Sequence, residues 1–321
     1  MYVLELGGQD DEFAVFEAGS AASDVESVAP GLATARAVTD RVPHLAYTRC
    51  ASELLGRAEP GVESARSLLE AAGIDRSGSV AVRAVDVRGR TGVDTQRAER
   101  ELGDALVARG FEVNLEDPDH ELRALFAEGT CALGWLVAES VRDYGARKPT
   151  DRPFFQPGSM DPLLARALAN AAGARPGATV LDPMCGTGGI LIEAGLVGAR
   201  AVGIDSQAKM VRGTRENLAG FLAGDWHVAR GDARSLPLAD GTVDAVVFDA
   251  PYGRQSKVEG RLDELVLAAL EEARRVAPRC VVVGDRPWAQ AAHHAGWTTE
   301  AAFDRPVHRS LTRYVLALRR R

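Results

Sequence analysis

The stretch Val180–Ile190 limits the folds open to this chain more than any other. It begins as an apolar run, turns through Gly186, Gly188 and Gly189, and continues into an apolar helical pattern. Glycine lets the backbone turn tightly and lets a ligand approach it, and the start of a helix offers free amide groups. A strand, a glycine turn and a helix in this order predict a sheet that holds a nucleoside-containing cofactor at the turn.

Strands and helices alternate along the chain after residue 150. Val243–Asp249 is almost wholly apolar, which is typical of a strand at the buried centre of a parallel sheet. Trp297–Phe303 and Arg313–Leu318 are joined by a short loop and are predicted to be antiparallel. This order predicts a doubly wound α/β sheet that ends in a hairpin. The other predicted elements are the helices Ser159–Asn170 (capped by Ser159), Gly188–Val197, Gln207–Ala219 and Leu262–Val276, and the strands Ala178–Asp182, Ala201–Asp205 and Cys280–Gly284.

The first 150 residues are less patterned and are predicted to form a separate small α+β domain. Tyr2–Leu6 and Phe13–Glu17 look like the two strands of a hairpin. Val80–Val87 alternates valine with other residues and indicates a further strand, and residues 94–109 indicate a helix.

Two prolines and mixed charges at residues 148–153 indicate a linker. This linker divides the chain into predicted domains 1–150 and 151–321.

Composition excludes several classes of protein. No apolar run reaches the roughly 18 residues of a membrane span, and the N-terminus lacks the pattern of a signal peptide, so a cytoplasmic protein is expected. The four cysteines are far apart in the sequence, which argues against a disulfide framework and against a metal site. The formal charge of −7 argues against nonspecific coating of nucleic acid.

That charge still allows an RNA substrate. Only three of the 38 basic residues are lysines, and acids are in excess, which is typical of a protein adapted to high salt, a halophile's protein. High salt screens the attraction between basic residues and phosphates, so an RNA enzyme there does not need a strongly basic surface.

Aspartates stand at the ends of three successive strands. Asp182 begins the glycine turn and can neutralise an ammonium group, whereas Asp205 stands where an acid binds ribose hydroxyls. Asp232 can accept a hydrogen bond from an adenine amine. The alternative is that each aspartate only caps the next helix. Leu191 replaces the third glycine of the dinucleotide pattern, which argues against a nicotinamide or flavin site. The predicted cofactor-binding residues here are Asp182, Cys185, Gly186, Gly188, Asp205, Ser206, Asp232 and Ala233.

The segment Asp249–Tyr252 is the predicted catalytic motif. An exocyclic amine has a delocalised lone pair, so a site for its methylation must hold the nitrogen between hydrogen-bond acceptors. The Asp249 carboxylate and the Ala250 carbonyl are suited to this, while Pro251 fixes the turn and Tyr252 can stack on the base. The target base must leave its stack to reach them. A simple turn after a strand would explain Asp249 and Pro251 but not Tyr252.

Together the two motifs resemble those of S-adenosylmethionine-dependent methyltransferases that act on exocyclic amines. Asp249–Tyr252 is similar to their Asp/Asn-Pro-Pro-Tyr motif, with Ala250 in place of the first proline, so the carbonyl is kept and some rigidity is lost. Residues 152–160 and 308–313 resemble the archaeal tRNA (guanine-10 N2)-methyl/dimethyltransferase family. Residues 80–115 resemble its THUMP domain. The resemblance covers most of residues 55–318.

This resemblance implies S-adenosyl-L-methionine as cofactor, tRNA as substrate, and methyl transfer to the N2 amine of guanosine 10. It implies a seven-stranded Rossmann-like methyltransferase domain after an N-terminal α+β THUMP-type RNA-binding domain. It also implies that the loop with Phe155 closes over the cofactor. Arg83, Arg88 and Arg90, which are ordinarily a solvated face, are the candidate RNA contacts.

Two other functions remain open. One is a ribosomal RNA guanine N2-methyltransferase, and the other is a noncatalytic RNA-binding factor with a relic methyltransferase domain. A DNA methyltransferase is disfavoured, because nothing resembles a separate DNA-recognition region. No metal is expected, and no protein partner is evident.

Overall fold

The computed structural model describes residues 1–251, 259–308 and 311–320. Tyr252 of the predicted catalytic motif, and Arg309 and Ser310 of the segment that supports the family resemblance, lie outside the described residues.

The chain divides into two compact units, Met1–Val141 and Arg142–Arg321. The boundary precedes the one predicted at residue 150. The residues expected to form a linker lie inside the second unit, where Tyr144–Arg147 and Pro149–Asp151 are short 3-10 helices.

The first unit is an α+β unit built on one large sheet. Its order is β3-β4-β1-β6-β10-β9-β7-β8, antiparallel except that β7 runs parallel to β8 and β9, while β2 and β5 form a separate pair. The helices α2 and α3 bury Leu69, Leu102 and Leu106 against the sheet. The elements are β1 (Tyr2–Leu6), α1 (Asp11–Ala18), β2 (Ala22–Ser23), β3 (Glu26–Ala29), β4 (Leu32–Ala35), β5 (Ala37–Val38), β6 (Thr48–Ala58), α2 (Val62–Ala71), β7 (Ser79–Asp86), α3 (Thr95–Val107), β8 (Glu112–Val113), β9 (His120–Ala127) and β10 (Thr130–Glu139).

The predicted hairpin of Tyr2–Leu6 with Phe13–Glu17 is wrong. Phe13–Glu17 lies in α1, and the carboxylate of its N-cap Asp10 accepts a hydrogen bond from the Phe13 N–H at 3.0 Å. Strand β1 instead pairs with β4 and β6. An N-cap aspartate followed by two acids in the first turn favours a helix, and this signal outweighs the short apolar run.

The second unit contains a seven-stranded sheet with helices on both faces. Its order is β13-β12-β11-β14-β15-β17-β16; the first five strands in this order are parallel, and β17 is antiparallel to both neighbours. This confirms the predicted Rossmann-like sheet with a terminal hairpin. The elements are α4 (Pro162–Ala172), β11 (Thr179–Asp182), α5 (Gly189–Leu196), β12 (Arg200–Asp205), α6 (Ala208–Phe221), β13 (Trp226–Arg230), β14 (Ala245–Asp249), α7 (Glu259–Val276), β15 (Arg279–Gly284), α8 (Ala289–His294), β16 (Trp297–His308) and β17 (Leu311–Arg320).

Two apolar layers hold this sheet. Helix α7 packs Val266 and Leu270 on the face that carries Phe248, and α5 and α6 pack Leu191 and Leu218 on the other face. The strand order reverses between β11 and β14, which is the place where open α/β sheets bind ligands beyond the carboxyl ends of their strands.

The predicted cap of α4 needs correction. Asp161, not Ser159, is the N-cap, and its carboxylate accepts a hydrogen bond from the Leu163 N–H at 2.9 Å. Pro162 occupies the first helical position, where its missing N–H costs no hydrogen bond. Ser159 is thereby left in the loop that precedes the helix.

Candidate active site

A cavity of about 330 Å³ opens at the carboxyl edge of the parallel strands of the second unit. The glycine turn after β11, the ends of β12 and β14, and the loop 156–160 form its walls. The structure therefore brings together most of the predicted site, although Gly188 and Phe155 do not line the cavity. The predicted residues that line it are Asp182, Cys185, Gly186, Asp205, Ser206, Asp232, Ala233, Asp249, Ala250 and Pro251.

Two glycines of the turn have backbone angles that L side chains avoid, with φ of +52° at Gly186 and +77° at Gly188. A Cβ atom on Gly188 would lie 2.8 Å from the Thr214 Cγ2 atom on α6. The Thr214 hydroxyl donates a hydrogen bond to the Gly186 carbonyl at 2.6 Å. Gly188 therefore packs against α6, where a side chain has no room, while Gly186 lines the cavity.

Asp205 ties the glycine turn to the turn that follows β12. One carboxylate oxygen accepts the Gly186 N–H at 3.0 Å, and the other accepts the Gln207 N–H at 2.8 Å. The residue is only 8% exposed. A carboxylate oxygen can accept two hydrogen bonds, so this fixed carboxylate can also accept hydrogen bonds from hydroxyl groups in the cavity.

Asp182 is a buried carboxyl group, 3% exposed, that accepts the Met184 N–H at 3.0 Å. Burial raises the pKa of Asp182 well above its ordinary value, and the negative charges of Asp249 and Asp205 raise it further. A cation placed in the cavity would favour the ionised form.

Asp232 differs from these two carboxylates because it already has a cationic partner. Its oxygens accept hydrogen bonds from the Arg234 side chain at 2.7 to 3.1 Å. These bonds lower the pKa of Asp232, so the carboxylate is ionised while it lines the cavity.

Cys185 lies in the turn with its thiol turned into the core, where the Sγ atom is 3.8 Å from the Thr214 hydroxyl. Burial raises the pKa of Cys185, so its thiol stays protonated and is not a nucleophile.

Ala250 gains a contact that a proline could not make. Its N–H donates a hydrogen bond to the Val283 carbonyl at 2.8 Å, which fixes the chain directly after β14. Proline has no N–H, so this hydrogen bond offsets the rigidity lost with the first proline of the motif. Asp249 is partly exposed at the cavity, and Pro251 follows on the same wall.

The loop 152–160 forms one wall and is tied down by side chains. Asn217 on α6 accepts the Phe154 N–H and donates to the Phe154 carbonyl, both at 2.8 Å. The Ser159 hydroxyl contacts that of Thr187 in the glycine turn at 3.0 Å. Phe155, by contrast, is 45% exposed, so Phe154 is the aromatic residue that anchors this loop.

Sequence reasoning missed a buried ion cluster behind this loop. Glu193 is fully buried on α5, and its carboxylate pairs with Arg147 at 2.8 Å and with Arg166 at 2.8 Å. It also missed Thr187, Ile190, Gln207, Met210 and Leu265, which line the cavity and carry no sequence signal of their own. Gln156, Gly158 and Met160 line it as well, in the segment that supports the family resemblance.

The three arginines predicted to contact RNA lie in the first unit, each beside a carboxylate. Arg88 pairs with Asp11 in a half-buried position. Arg90 is 56% exposed and lies 3.0 Å from a Glu128 oxygen. Arg83 is 40% exposed and donates to a backbone carbonyl at 2.7 Å.

Among the described residues, no group of three or more His, Cys, Asp or Glu side chains is placed to hold a metal ion. Within the same part of the chain, no helix has the length and apolar character needed to cross a membrane.

Comparison with known proteins identifies the family. The family described as UPF0020, RMKL-like, methyltransferase domain, matches residues 149–314. The tRNA (guanine(10)-N2)-dimethyltransferase of Methanothermobacter thermautotrophicus is 36% identical over 291 residues, covering 86% of this chain and 83% of that protein. The chain belongs to the tRNA (guanine(10)-N2)-dimethyltransferase family.

The family assignment confirms the resemblance read from the sequence. The protein is accordingly an S-adenosyl-L-methionine-dependent methyltransferase. The tRNA (guanine(6)-N2)-methyltransferase of Thermus thermophilus is 30% identical, covering 68% of this chain and 65% of that protein. The crystal structure of TrmN from Thermus thermophilus has a TM-score of 0.51 at 23% identity, covers 100% of this chain and 99% of that chain, and shows the same fold.

Proposed function

We propose that this protein transfers a methyl group from S-adenosylmethionine to the exocyclic N2 amine of guanosine 10 in tRNA. The observation that carries the proposal is the placement of Asp249 and Ala250 on the wall of the cavity that also holds Asp182 and Asp205. A cofactor site and a pair of acceptors for an amine thus share one opening. The proposed nucleotide position, guanosine 10, is taken from the name of the relative with 36% identity.

The residues of the cavity fit this cofactor. Asp182, a buried carboxyl with two acidic neighbours, suits the ammonium group, and Asp205 suits the ribose hydroxyls. Asp232 and Ala233, which line the same cavity, are the proposed contacts of the adenine amine and ring. The cofactor, when bound, supplies an electrophilic methyl group on a sulfonium.

The target amine is held rather than strongly activated. The Asp249 carboxylate and the Ala250 carbonyl accept its two N–H groups, which turns the nitrogen lone pair toward the methyl group. One proton leaves once the nitrogen is quaternised, and the Asp249 carboxylate is the nearest proposed acceptor. Tyr252, which lies outside the described residues, remains the proposed stacking partner of the base.

The first unit is proposed to contact tRNA as a THUMP-type domain. All three predicted arginines lie beside carboxylates, but Arg88 is the least exposed, so Arg83 and Arg90 are the better candidates for phosphate contact. Each is 40% or more exposed. A single phosphate contact of this kind contributes mainly to salt-dependent affinity.

The experiment is methyl transfer from labelled S-adenosylmethionine to unmodified tRNA at high salt, with nucleoside mapping of the product. Label on guanosine 10 that disappears when guanosine 10 is replaced supports the proposal. Label on guanosine 6 would move the assignment to that position, and label only on ribosomal RNA would favour the ribosomal alternative. Cofactor binding without transfer to any RNA would favour a noncatalytic factor. The ratio of mono- to dimethylated product shows how many methyl groups are added.

A further inference from the structure

A second cavity, of about 480 Å³, opens at the opposite edge of the second unit's sheet. The end of α4, the start of β15 and the end of β17 surround it. Four arginines line it, against a single acid, Asp244, among the described lining residues. The arginines are Arg175, Arg279, Arg319 and Arg320.

The arrangement of these arginines is unfavourable in the absence of an anion. Arg279 and Arg319 are direct partners in the antiparallel pairing of β15 with β17. Like charges directly opposite each other across two strands destabilise a sheet. A local conflict of this kind is a sign of function, because it costs stability without improving the packing.

Within the described part of the chain, the carboxylates of Asp244 and Glu300 balance part of this charge. Asp244 uses one carboxylate oxygen to accept the Thr179 N–H at 2.8 Å. Glu300 lies 3.4 Å from Arg319, which is 62% exposed. Arg175 donates to the Gly173 carbonyl at 3.0 Å, which uses one of the five N–H groups of a guanidinium.

We propose that this arginine-lined cavity binds phosphates of the RNA backbone, as a second contact surface of the substrate that the proposed function names. Guanidinium groups bind phosphate oxygens in pairs of parallel hydrogen bonds, and arginine is the residue best suited to this. The chain has an excess of acids, 45 against 38 bases, so a concentration of four arginines is not an average property of its surface.

Strand β14 has five residues, so the two edges lie roughly 16 Å apart through the buried core. An RNA contact at Arg279 therefore requires an RNA that extends past the site at Asp249 along the outside of this unit.

The test is the salt dependence of tRNA binding to the full chain, measured with unmodified tRNA between about 0.05 and 0.5 M salt. Each phosphate contact contributes roughly 0.7 to 0.9 to the slope of log affinity against log salt. The variant R279Q/R319Q should therefore reduce the slope by roughly 1.5, and R175Q by roughly half as much. The control R212Q/R215Q removes the same charge from the exposed side of α6, which does not line this cavity, and should leave the slope near that of the wild type.

The outcome separates this proposal from the proposed function. A slope for R279Q/R319Q equal to that of the control, with both variants folded by circular dichroism, overturns the cavity as an RNA contact. Binding of inorganic phosphate that is lost in R279Q/R319Q, while the tRNA slope of that variant is unchanged, overturns it as well. That result would identify the ligand of the cavity as a small anion. Binding is measured without methyl transfer, so an unmethylated guanosine 10 would contradict the proposed function alone.

Discussion

The surface charges of the first unit and the cavity charges of the second unit are held in different ways. On the surface of the first unit the arginines mostly lie beside carboxylates, as in Arg66 with Glu70 at 2.8 Å and Arg97 with Glu101 at 2.6 Å. In the cavity of the second unit Asp182 and Asp205 are buried and are held by backbone N–H groups. Paired surface charges contribute little to stability, whereas buried carboxylates that line a cavity are placed for a ligand.

The largest effect is expected where the second unit buries a charge that is fully paired. Glu193→Gln removes the carboxylate that the buried Arg147 and Arg166 share, although Arg147 keeps its pair with Asp143, and should lower the free energy of unfolding by about 3–5 kcal/mol. Chemical denaturation followed by fluorescence measures this. The matched change in the first unit, Glu70→Gln, removes an exposed pair and should leave the free energy of unfolding almost unchanged. Equal losses in the two variants would contradict the comparison.

Asp249→Ala tests the catalytic role proposed for the cavity of the second unit. It removes the acceptor proposed to hold the amine, and such losses typically reduce kcat by about 10²–10³-fold. Affinity for S-adenosylmethionine, measured by calorimetry, should stay close to that of the wild type because Asp182 and Asp205 remain. Asp249→Asn keeps one acceptor oxygen, so its kcat should lie between those of the wild type and the alanine variant. Retention of most activity by the alanine variant would remove Asp249 from the mechanism.

Gly188→Ala tests the turn below the cavity. The alanine would need a φ of +77°, and its Cβ would press on Thr214, so we expect a loss of about 1–3 kcal/mol in stability together with weaker cofactor binding. Gly103 is the control in the first unit. It lies inside α3 with open space around it, so Gly103→Ala should stabilise the protein by up to about 1 kcal/mol. A Gly188→Ala variant with the stability of the wild type would contradict the predicted backbone strain.

The smallest effect is a dependence on pH. Because the pKa of Asp182 is raised in the folded protein, the folded chain keeps a proton that the unfolded chain loses above roughly pH 4. Stability therefore falls as pH rises from there toward the raised pKa. Affinity for the cationic cofactor rises over the same window, by at most about tenfold per pH unit, because binding uses the ionised carboxylate.

Asp182→Asn removes both dependences. The variant and the wild type should converge in stability at low pH, and the variant should bind the cofactor with little change across the window. Unfolding and binding measured at several pH values check this. Parallel profiles for the two proteins would show that Asp182 does not titrate in that window.

Local patterns predicted most of the second unit. The apolar strands, the glycine turn and the aspartates at strand ends are signals that lie within a few residues of each other, so Asp182, Asp205 and Asp249 were placed correctly at one edge. Contacts between distant residues carry no such signal. The pairing of Arg147 with Glu193 joins residues 46 positions apart, and neither segment has a local pattern that predicts it.

The first unit was predicted less well for the same reason. Its sheet is assembled from strands far apart in the sequence, such as β6 with β10, and its helix α1 was predicted as a strand. The misread segment was short, and the fully buried Glu17 in it binds the Ala46 and Tyr47 N–H groups, about thirty residues away. The run Phe13–Phe16 is apolar throughout, so it fits a short buried strand as well as a helix until the distant partners of Glu17 are known.

The position of β17 between β15 and β16 bears on how the protein folds during synthesis. All strands of the first unit's sheet come from residues 1–141, so that unit can fold while the rest is still being translated. The second unit cannot complete its sheet until residues 311–320 have left the ribosome. Until then β15, the neighbour of the strand that carries Asp249, has an open edge that invites pairing with other chains. A pause in translation or a missing last strand therefore endangers this unit far more than the first.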